Sequence, residues 1–208
     1  MPIAVSKIRD VADGVQAGHF EVGERSTLQN LGDLDAVYRE LLDGAVTAVI
    51  SVTGGVGRSN LSPVWFDYEG DRVLLNLAVH RKKVHWLQEN PQATFLLMNP
   101  GNPYHWISIK ATVARQIAED DPVEGARVTK QLDRMAAKYL GEIGGYALRD
   151  PSRSERRVWF EFGVDSWRHS VGRERRTDPG STVTARDRRW LRATKHVGGH
   201  QRDFQSQP

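Results

Sequence analysis

The sequence predicts a mainly β (α+β) fold, a small antiparallel β-barrel of six to seven strands with a few flanking helices. Three observations support this prediction. Short segments rich in β-branched and aromatic residues recur through the middle of the chain, hairpin-length turns separate most of them, and only three segments there have helical periodicity. Strands joined by short turns pair in antiparallel fashion, and closure into a barrel removes the exposed sheet edges.

The length and composition exclude several classes of protein. The chain has 208 residues, of which 39% are hydrophobic and 26% are charged, so we expect one soluble globular domain, or two at most. It has no cysteine, which excludes disulfides, thiolate metal sites and cysteine nucleophiles. The apolar runs are too short to span a membrane, and the N-terminus lacks the pattern of a secretory signal. We therefore expect a cytoplasmic protein that makes no membrane contact.

Six segments have the composition or the alternation of β-strands. In chain order they are Val46–Val52, Leu61–Tyr68, Arg72–Ala78, Ala93–Met98, Tyr104–Ala114 and Val158–Val164. In the fifth segment Ile107 and Ile109 share one face, which we expect to lie in the core. The glycines at 54–57 lack the lysine of a phosphate-binding loop and precede a strand, so we predict only a turn there.

The first two helices are predicted from apolar residues at helical spacing. Asp33–Leu42 has this spacing, and Asp33 is placed to cap its first turn. Arg81–Glu89 has it too, and Pro91 prevents the helix from continuing.

The third helix has the strongest signal. Asp121 can cap it, Pro122 occupies its first helical position and Gly141 ends it. Its predicted core stripe consists of Val128, Leu132, Met135, Ala136, Tyr139 and Leu140.

The chain is predicted to have three parts: an N-terminal extension at 1–32, a barrel domain at 33–170 and a basic tail at 171–208. The tail contains nine basic and four acidic residues and few apolar ones, so we expect it to be disordered. A basic arm for nucleic acid is the alternative interpretation. Because the tail lacks aromatic interleaving and any known binding module, we favour a solvated tail and expect no nucleic-acid partner.

No linear motif indicates metal or hydrolytic chemistry. The seven histidines are scattered, without an H-E-x-x-H pair, and no serine lies in a G-x-S-x-G turn. We therefore predict no metal site and assign no catalytic residue.

The most informative cluster lies where a predicted strand meets the second predicted helix. Arg81, Lys82 and Lys83 are consecutive cations in the first turn of that helix. A helix N-terminus carries partial positive charge, so cations are unfavourable there. An anion held by the free backbone N–H groups and by these side chains would offset this cost. Taken alone, the residues leave a solvated face open as the alternative.

Several segments, in this order and spacing, resemble a known family. They are Ser62-Pro63-Val64-Trp65-Phe66, Leu74-Leu75-Asn76-Leu77-Ala78, Arg81-Lys82-Lys83-Val84, Asn90-Pro91, Pro103-Tyr104 and Gln131–Gly141. Over residues 34–168 they resemble the pyridoxamine 5′-phosphate oxidase-like split β-barrel family, whose members bind flavins or deazaflavins. The branch that uses coenzyme F420 is the most similar.

The resemblance implies a homodimer of split barrels with the cofactor in a cleft between the subunits. It implies an F420-dependent oxidoreductase that transfers a hydride between the deazaflavin coenzyme and a small conjugated organic substrate. The alternatives are an FMN-dependent pyridoxamine 5′-phosphate oxidase-like enzyme and a non-catalytic flavin- or deazaflavin-binding protein.

The resemblance also implies nine cofactor-binding residues. Arg81 and Lys83 would bind the cofactor phosphate, and Lys82 would point to the partner subunit or to the polyanionic tail of the coenzyme. The remaining members are Ser62, Pro63, Val64, Trp65, Asn76 and Ala78. Of these, residues 63–65 would line the ring, and residues 76 and 78 would flank the phosphate. Tyr104, His105 and Trp106, which open a later strand, are candidates for substrate contact.

Overall fold

The computed structural model describes residues 2–9, 15–16, 19, 21–141, 144–149, 152 and 154–171. Within these residues the chain forms nine β-strands and three α-helices. The strands are β1 (Ile3–Arg9), β2 (Glu21–Leu28), β3 (Ala48–Thr53), β4 (Ser59–Val64), β5 (Asp67–Glu69), β6 (Arg72–Ala78), β7 (Gln92–Asn99), β8 (Asn102–Ala118) and β9 (Arg157–Val171). The helices are α1 (Ala36–Asp43), α2 (Lys82–Glu89) and α3 (Gly125–Leu140).

All nine strands belong to one sheet, in which every pairing except that of β1 with β9 is antiparallel. The main path runs β2-β1-β9-β8-β7-β3-β4, and β6, with β5 beside it, also pairs with β9. One edge of β9 pairs with β8, whereas the other is divided between β6 at residues 157–163 and β1 at residues 166–169. This division splits the barrel, and the predicted mainly β split-barrel fold is confirmed.

The chain changes its partner strand between β4 and β5. β4 pairs with β3, whereas β5 pairs with β6. The predicted single strand Leu61–Tyr68 is therefore wrong, since Trp65 and Phe66 separate two strands with different neighbours. An alternating pattern cannot reveal such a change, because it reports which face each side chain occupies and not which strand lies alongside.

The Tyr139 hydroxyl holds this change of partner in place. It donates a hydrogen bond to the carbonyl oxygen of Val46 at 2.9 Å and accepts one from the backbone N–H of Phe66 at 3.3 Å. The Phe66 side chain is fully buried. Burial raises the pKa of Tyr139 to about 12, so the hydroxyl keeps its proton and can donate at neutral pH.

The core lies inside the sheet and under α3. Ile107 and Ile109 are fully buried, as predicted, and Phe95 meets Phe162 edge to face with ring centroids 5.1 Å apart. Four members of the predicted stripe of α3 are buried: Val128, Leu132, Met135 and Ala136. Leu140 is 41% exposed, so the predicted stripe is wrong at its last residue, where the helix ends at Gly141.

Two predicted helix starts are wrong. Helix α1 begins after Asp35, and Asp33 belongs to a preceding 3-10 turn. Helix α3 begins at Gly125 and not at Pro122. The carboxylate of Asp121 accepts hydrogen bonds from the N–H groups of the two residues that follow Pro122, so these residues form a turn before the helix begins.

Two strands that the sequence pattern did not predict lie in residues 1–32. β1 pairs in parallel with β9, and β2 pairs with β1. The pattern missed β2 because most of its side chains are exposed and it has no apolar face. The tail, predicted to be disordered, lies outside the described residues from residue 172 onward. Among the described helices, none has the length and apolar character needed to cross a bilayer.

Replacing Tyr139 by Phe should lower the free energy of unfolding by about 1–2 kcal/mol, because Val46 and Phe66 lose a half-buried hydrogen-bond partner. Urea denaturation followed by tryptophan fluorescence measures this change. Tyr104→Phe is the matched control, since Tyr104 is 61% exposed and its loss should cost under about 0.5 kcal/mol. Equal effects of the two substitutions would show that the Tyr139 hydroxyl does not stabilise the fold.

Candidate functional site

A cavity of about 540 Å³ opens beside β4, β6 and the start of α2. Its lining residues are Thr47, Pro63, Val64, Trp65, Asn76, Leu77, Ala78, Arg81, Lys83, Leu132, Met135, Tyr146, Leu148 and Arg157. This list contains seven of the nine predicted cofactor-binding residues and omits Ser62 and Lys82. The volume lies in the usual range for small-molecule sites, roughly 300–1,000 Å³.

Two cations at the N-terminus of α2 line one side of the cavity. Arg81 is the N-cap residue of this helix, and the amine of Lys83 donates a hydrogen bond to the Ser62 hydroxyl at 2.6 Å. Burial, together with the nearby charge of Arg81, lowers the pKa of Lys83. No side chain caps α2, its first turn contains no acidic residue, and no carboxylate among the described residues pairs with either cation. This end of the cavity is therefore suited to an anion.

Ser62 and Lys82 lie at the margin of this site. The Ser62 hydroxyl accepts the hydrogen bond from Lys83, so it positions a cavity cation without lining the cavity. The Lys82 side chain is exposed on the first turn of α2. It adds positive charge next to the cavity mouth, and its predicted contact with a coenzyme tail or a partner subunit stays a prediction.

One wall of the cavity is aromatic. The indole of Trp65 stacks on the ring of Tyr139, with centroids 5.1 Å apart and planes 6° from parallel. The edge of Tyr146 packs against Trp65 at 6.3 Å. Pro63 is tolerated within β4 because this strand lies at an edge of the described sheet, one of the few places where sheets accept proline.

The floor of the cavity is a buried polar network around Asn76. Its amide nitrogen donates hydrogen bonds to the side-chain oxygen of Gln131 at 2.9 Å and to the Val128 carbonyl at 3.1 Å. Its amide oxygen accepts a hydrogen bond from Nε of Arg157 at 2.9 Å. Asn76 thus lines the cavity, but its polar atoms bind the protein, so it holds the floor together, and its predicted place beside a phosphate stays a prediction.

Arg157 is a third cavity cation that sequence reasoning missed. Its guanidinium is 5.2 Å from the ring centre of Tyr146 and forms an ion pair with Glu155 at 2.5 Å. Both side chains of this pair are almost buried, with exposures of 11% and 7%. In the sequence, Arg157 was marked only by its position at the start of the last strand. In the structure this strand, β9, pairs Arg157 with Ala78 on β6.

Residues 144–149, which we call the roof segment, cover the cavity with Tyr146 and Leu148. The N–H of Tyr146 donates a hydrogen bond to the Asp133 carboxylate on α3 at 2.9 Å. At the other end Arg149 donates two hydrogen bonds to Glu119, at 2.5 and 2.9 Å. The segment is thus attached to the scaffold at both ends.

Glu119 joins three elements around the cavity. Besides binding Arg149, its carboxylate accepts hydrogen bonds from the Thr129 hydroxyl on α3 and from the backbone N–H of Arg157 on β9. These bonds, that from Arg149 foremost, lower the pKa of Glu119 to about 2. The carboxylate therefore stays charged at neutral pH and fixes the roof segment.

The candidates for substrate contact do not line the cavity. The side chain of His105 is buried beside α1, with Nδ1 3.3 Å from a Glu40 carboxylate oxygen. Tyr104 is 61% exposed, and Trp106 pairs with Met98 on the sheet. None of the three residues lines the cavity within one chain, so their contact with a substrate stays a prediction.

A family model described as pyridoxamine 5′-phosphate oxidase matches residues 34–170. The chain belongs to this family. The matched region begins at Leu34, just before α1, and ends in β9, so it contains every lining residue of the cavity. The fold is the flavin-binding split barrel of a family that includes oxidoreductases.

Solved structures share this fold at low sequence identity. A protein described as an F420 reductase has a TM-score of 0.51 and 17% identity, covering 64% of this chain and 98% of its own. A conserved hypothetical protein from Mycobacterium tuberculosis has a TM-score of 0.48 and 15% identity, over 76% of this chain and 96% of its own. A putative pyridoxamine 5′-phosphate oxidase from Listeria innocua has a TM-score of 0.44 and 13% identity, over 64% and 92%. No curated protein matches the sequence.

The cavity contains cations but no acid–base pair. Among the described lining residues none is Asp, Glu or His, and no group of three such residues in the described chain is placed to hold a metal ion. These side chains can bind an anion and enclose a planar ring, but they offer no carboxylate or imidazole to remove a proton from a substrate.

Replacing Glu119 by Gln should loosen the roof segment, because the neutral amide cannot keep the charge-assisted bonds to Arg149. We expect hydrogen exchange at the backbone of residues 144–149 to become several-fold faster. In the unmodified protein, the contribution of the Glu119 carboxylate to the stability of the fold should decrease as pH falls from about 4.5 towards 2. Because the pKa of Glu119 is lowered in the folded state, this contribution is present in full only above that range.

Asp120→Asn is the matched control for this experiment. It removes the neighbouring ion pair with Arg156, whose side chains are 66% and 59% exposed. An exposed pair contributes little, so exchange in the roof segment should not change. Equal exchange in both variants would show that Glu119 does not hold the roof segment.

Proposed function

We propose that this protein is an F420-dependent oxidoreductase that transfers a hydride between the deazaflavin coenzyme and a small conjugated organic substrate. The observation that carries the proposal is the pairing of Arg81 and Lys83 at an uncapped helix N-terminus, beside a cavity that contains no carboxylate. Among the described residues neither cation has a carboxylate partner, and a phosphate-bearing ligand would supply the opposite charge.

The lining residues fit a coenzyme with an anionic end and a flat apolar end. Arg81 and Lys83 would hold the phosphate through charge-assisted hydrogen bonds. The segment Pro63–Trp65 would line the ring, since Trp65 is already held flat by Tyr139. Ala78, at the end of β6 and 2% exposed, leaves room for the phosphate because its side chain is a single methyl group.

In this proposal the coenzyme supplies the hydride chemistry, and the protein places the two reactants. The absence of Asp, Glu and His from the described lining agrees with this division, because hydride transfer from a bound coenzyme needs no carboxylate base in the cavity. Trp65, Leu132 and Met135 exclude water from the ring face, and the cations at α2 neutralise the anionic end.

Lys82 favours F420 over FMN as the coenzyme. It is exposed beside Arg81, outside the lining, where it can meet the longer polyanionic tail of F420. The family match equally accommodates FMN, and a non-catalytic protein that only binds a flavin or deazaflavin would use the same cavity. Parallel titrations with F420 and with FMN, using protein from which any bound cofactor has been removed and following tryptophan fluorescence, distinguish these possibilities. Tighter binding of FMN would replace F420 in the proposal.

A measurement of turnover distinguishes an enzyme from a protein that only binds the coenzyme. Reduced coenzyme bound to the protein should pass its hydride to a conjugated acceptor at a rate that rises with protein concentration. Saturable binding without turnover of any acceptor would instead indicate a coenzyme-binding protein.

Replacing both Arg81 and Lys83 by Ala should weaken coenzyme binding at least about 100-fold, because two charge-assisted contacts of roughly 1.5–3 kcal/mol each are lost. The titration described above measures the change. Lys130→Ala, which removes an exposed cation on α3, is the control and should bind normally. Unchanged affinity in the double variant would remove both residues from the coenzyme site.

We also propose that the protein works as a homodimer with the coenzyme at the subunit interface. The outer face of β4, β3, β7 and β8 carries apolar side chains in adjacent register: Leu61, Pro63, Val49, Leu96, Met98 and Trp106. Leu61 is 71% exposed and Met98 is 46% exposed. Pro63 belongs both to this face and to the cavity lining, so a second copy seated here would border the coenzyme site.

Leu61→Lys combined with Leu96→Lys should convert the dimer into a monomer, because charge is placed in the middle of the apolar face. Sedimentation equilibrium measures the change in mass. Val123→Lys, at a residue 86% exposed near the start of α3, is the control and should leave the mass unchanged. A protein that is monomeric before any substitution would overturn the dimer proposal.

A further inference from the structure

The roof segment lines the cavity with uncharged side chains, and one of these side chains is largely exposed to solvent. Leu148 lines the cavity and yet is 59% exposed, which places a large apolar side chain at the mouth. Below it, Leu132 and Met135 of α3 are almost completely buried. The cations Arg81 and Lys83 belong to α2. The cavity thus has a cationic part and an apolar part formed by different elements.

Several contacts tie the roof segment to the rest of the protein. Gly145 has φ of +94°, and a Cβ there would lie 3.1 Å from the Asp133 carboxylate, so only glycine is unstrained at this position. The Tyr146 ring packs against Trp65 on one side and Arg157 on the other. With Arg149 held by Glu119, Leu148 lies between two residues that are bonded to the rest of the protein.

We propose that the roof segment selects the substrate, with Leu148 as the residue that favours neutral, planar conjugated molecules over charged ones. This inference rests on the proposed function, since it concerns the second reactant of the same cavity. A substrate between the coenzyme ring and the roof segment meets Leu148 and the apolar residues of α3. An anionic group placed between Leu148 and the buried Leu132 and Met135 would lose part of its hydration without gaining a partner there.

The coenzyme strengthens this selection. A bound phosphate neutralises Arg81 and Lys83, so these cations no longer attract an anionic substrate. Arg157 is already paired with Glu155 and bonded to Asn76. The roof segment then determines the discrimination between neutral and anionic substrates, and one positive charge added there should reverse it.

The test compares Leu148→Lys with the unmodified protein, using two acceptors that differ in one charged group. These probes are 1,4-naphthoquinone and 1,4-naphthoquinone-2-sulfonate, each supplied with the reduced coenzyme. We expect the unmodified protein to prefer the neutral quinone and Leu148→Lys to shift the ratio of the two kcat/KM values at least about tenfold towards the sulfonate. An exposed leucine at the mouth is not part of the core, so the variant should fold.

Val56→Lys is the matched control, because it adds the same charge at an 84% exposed apolar residue in the turn between β3 and β4. It should leave the ratio unchanged. An unchanged ratio in Leu148→Lys would overturn the role of the roof segment, and an equal shift in Val56→Lys would reduce it to an effect of net charge. Normal coenzyme affinity in either variant would leave the proposed function intact.

A second measurement separates this inference from the proposed function. Binding of the two quinones to the coenzyme-free protein can be followed by quenching of Trp65, with Trp65→Phe identifying its share of the fluorescence. Because Arg81 and Lys83 still attract the sulfonate in the coenzyme-free protein, we expect a smaller shift in relative affinity in Leu148→Lys, in the same direction, and this shift supports the inference even if F420 and FMN both fail to bind. Identical relative affinities in all variants would overturn it.

Discussion

The Tyr139 hydroxyl is the contact on which the site depends. Between β4 and β5 the chain leaves one partner strand for another, and the backbone of Phe66 loses its ladder pairing there. Tyr139 replaces that pairing with a hydrogen bond and donates a second one to Val46. Its ring then supports Trp65 as a flat wall. The same residue therefore holds the chain where it changes its partner strand and supports the aromatic wall of the cavity.

Around the cavity, some charged side chains form ion pairs within the protein, whereas two cations among the described residues do not. Glu119 binds Arg149, and Glu155 binds Arg157, so these cations of the roof segment and of the start of β9 are neutralised by carboxylates of the protein. Arg81 and Lys83 have no such carboxylate in the described chain. Lys83 is half-buried, and a half-buried charge without an opposite charge nearby is destabilising in the absence of a ligand.

The site could be predicted where its residues are close together in the sequence. Arg81 and Lys83 lie a few residues after the end of β6, and residues 63–65 span the end of β4, so motifs of a few residues contained them. Arg157 could not be found in this way, because it reaches Asn76 from 81 residues further along the chain. The roof segment carries no hydrophobic period at all, and its place comes from single contacts to Asp133 and Glu119.

The sequence by itself determined the class of the fold, the positions of most strands and all three helices, and the cation cluster at α2. These features depend on periodicity, turn residues and short motifs, which are local properties of the chain. Only the tertiary structure decided that Leu61–Tyr68 divides between two partners, that β1 and β2 join the sheet, and that Arg157 and Leu148 reach the cavity. The reason is physical: strand pairing, burial and charge pairing depend on neighbours that are distant in the sequence and come together only when the sheet closes.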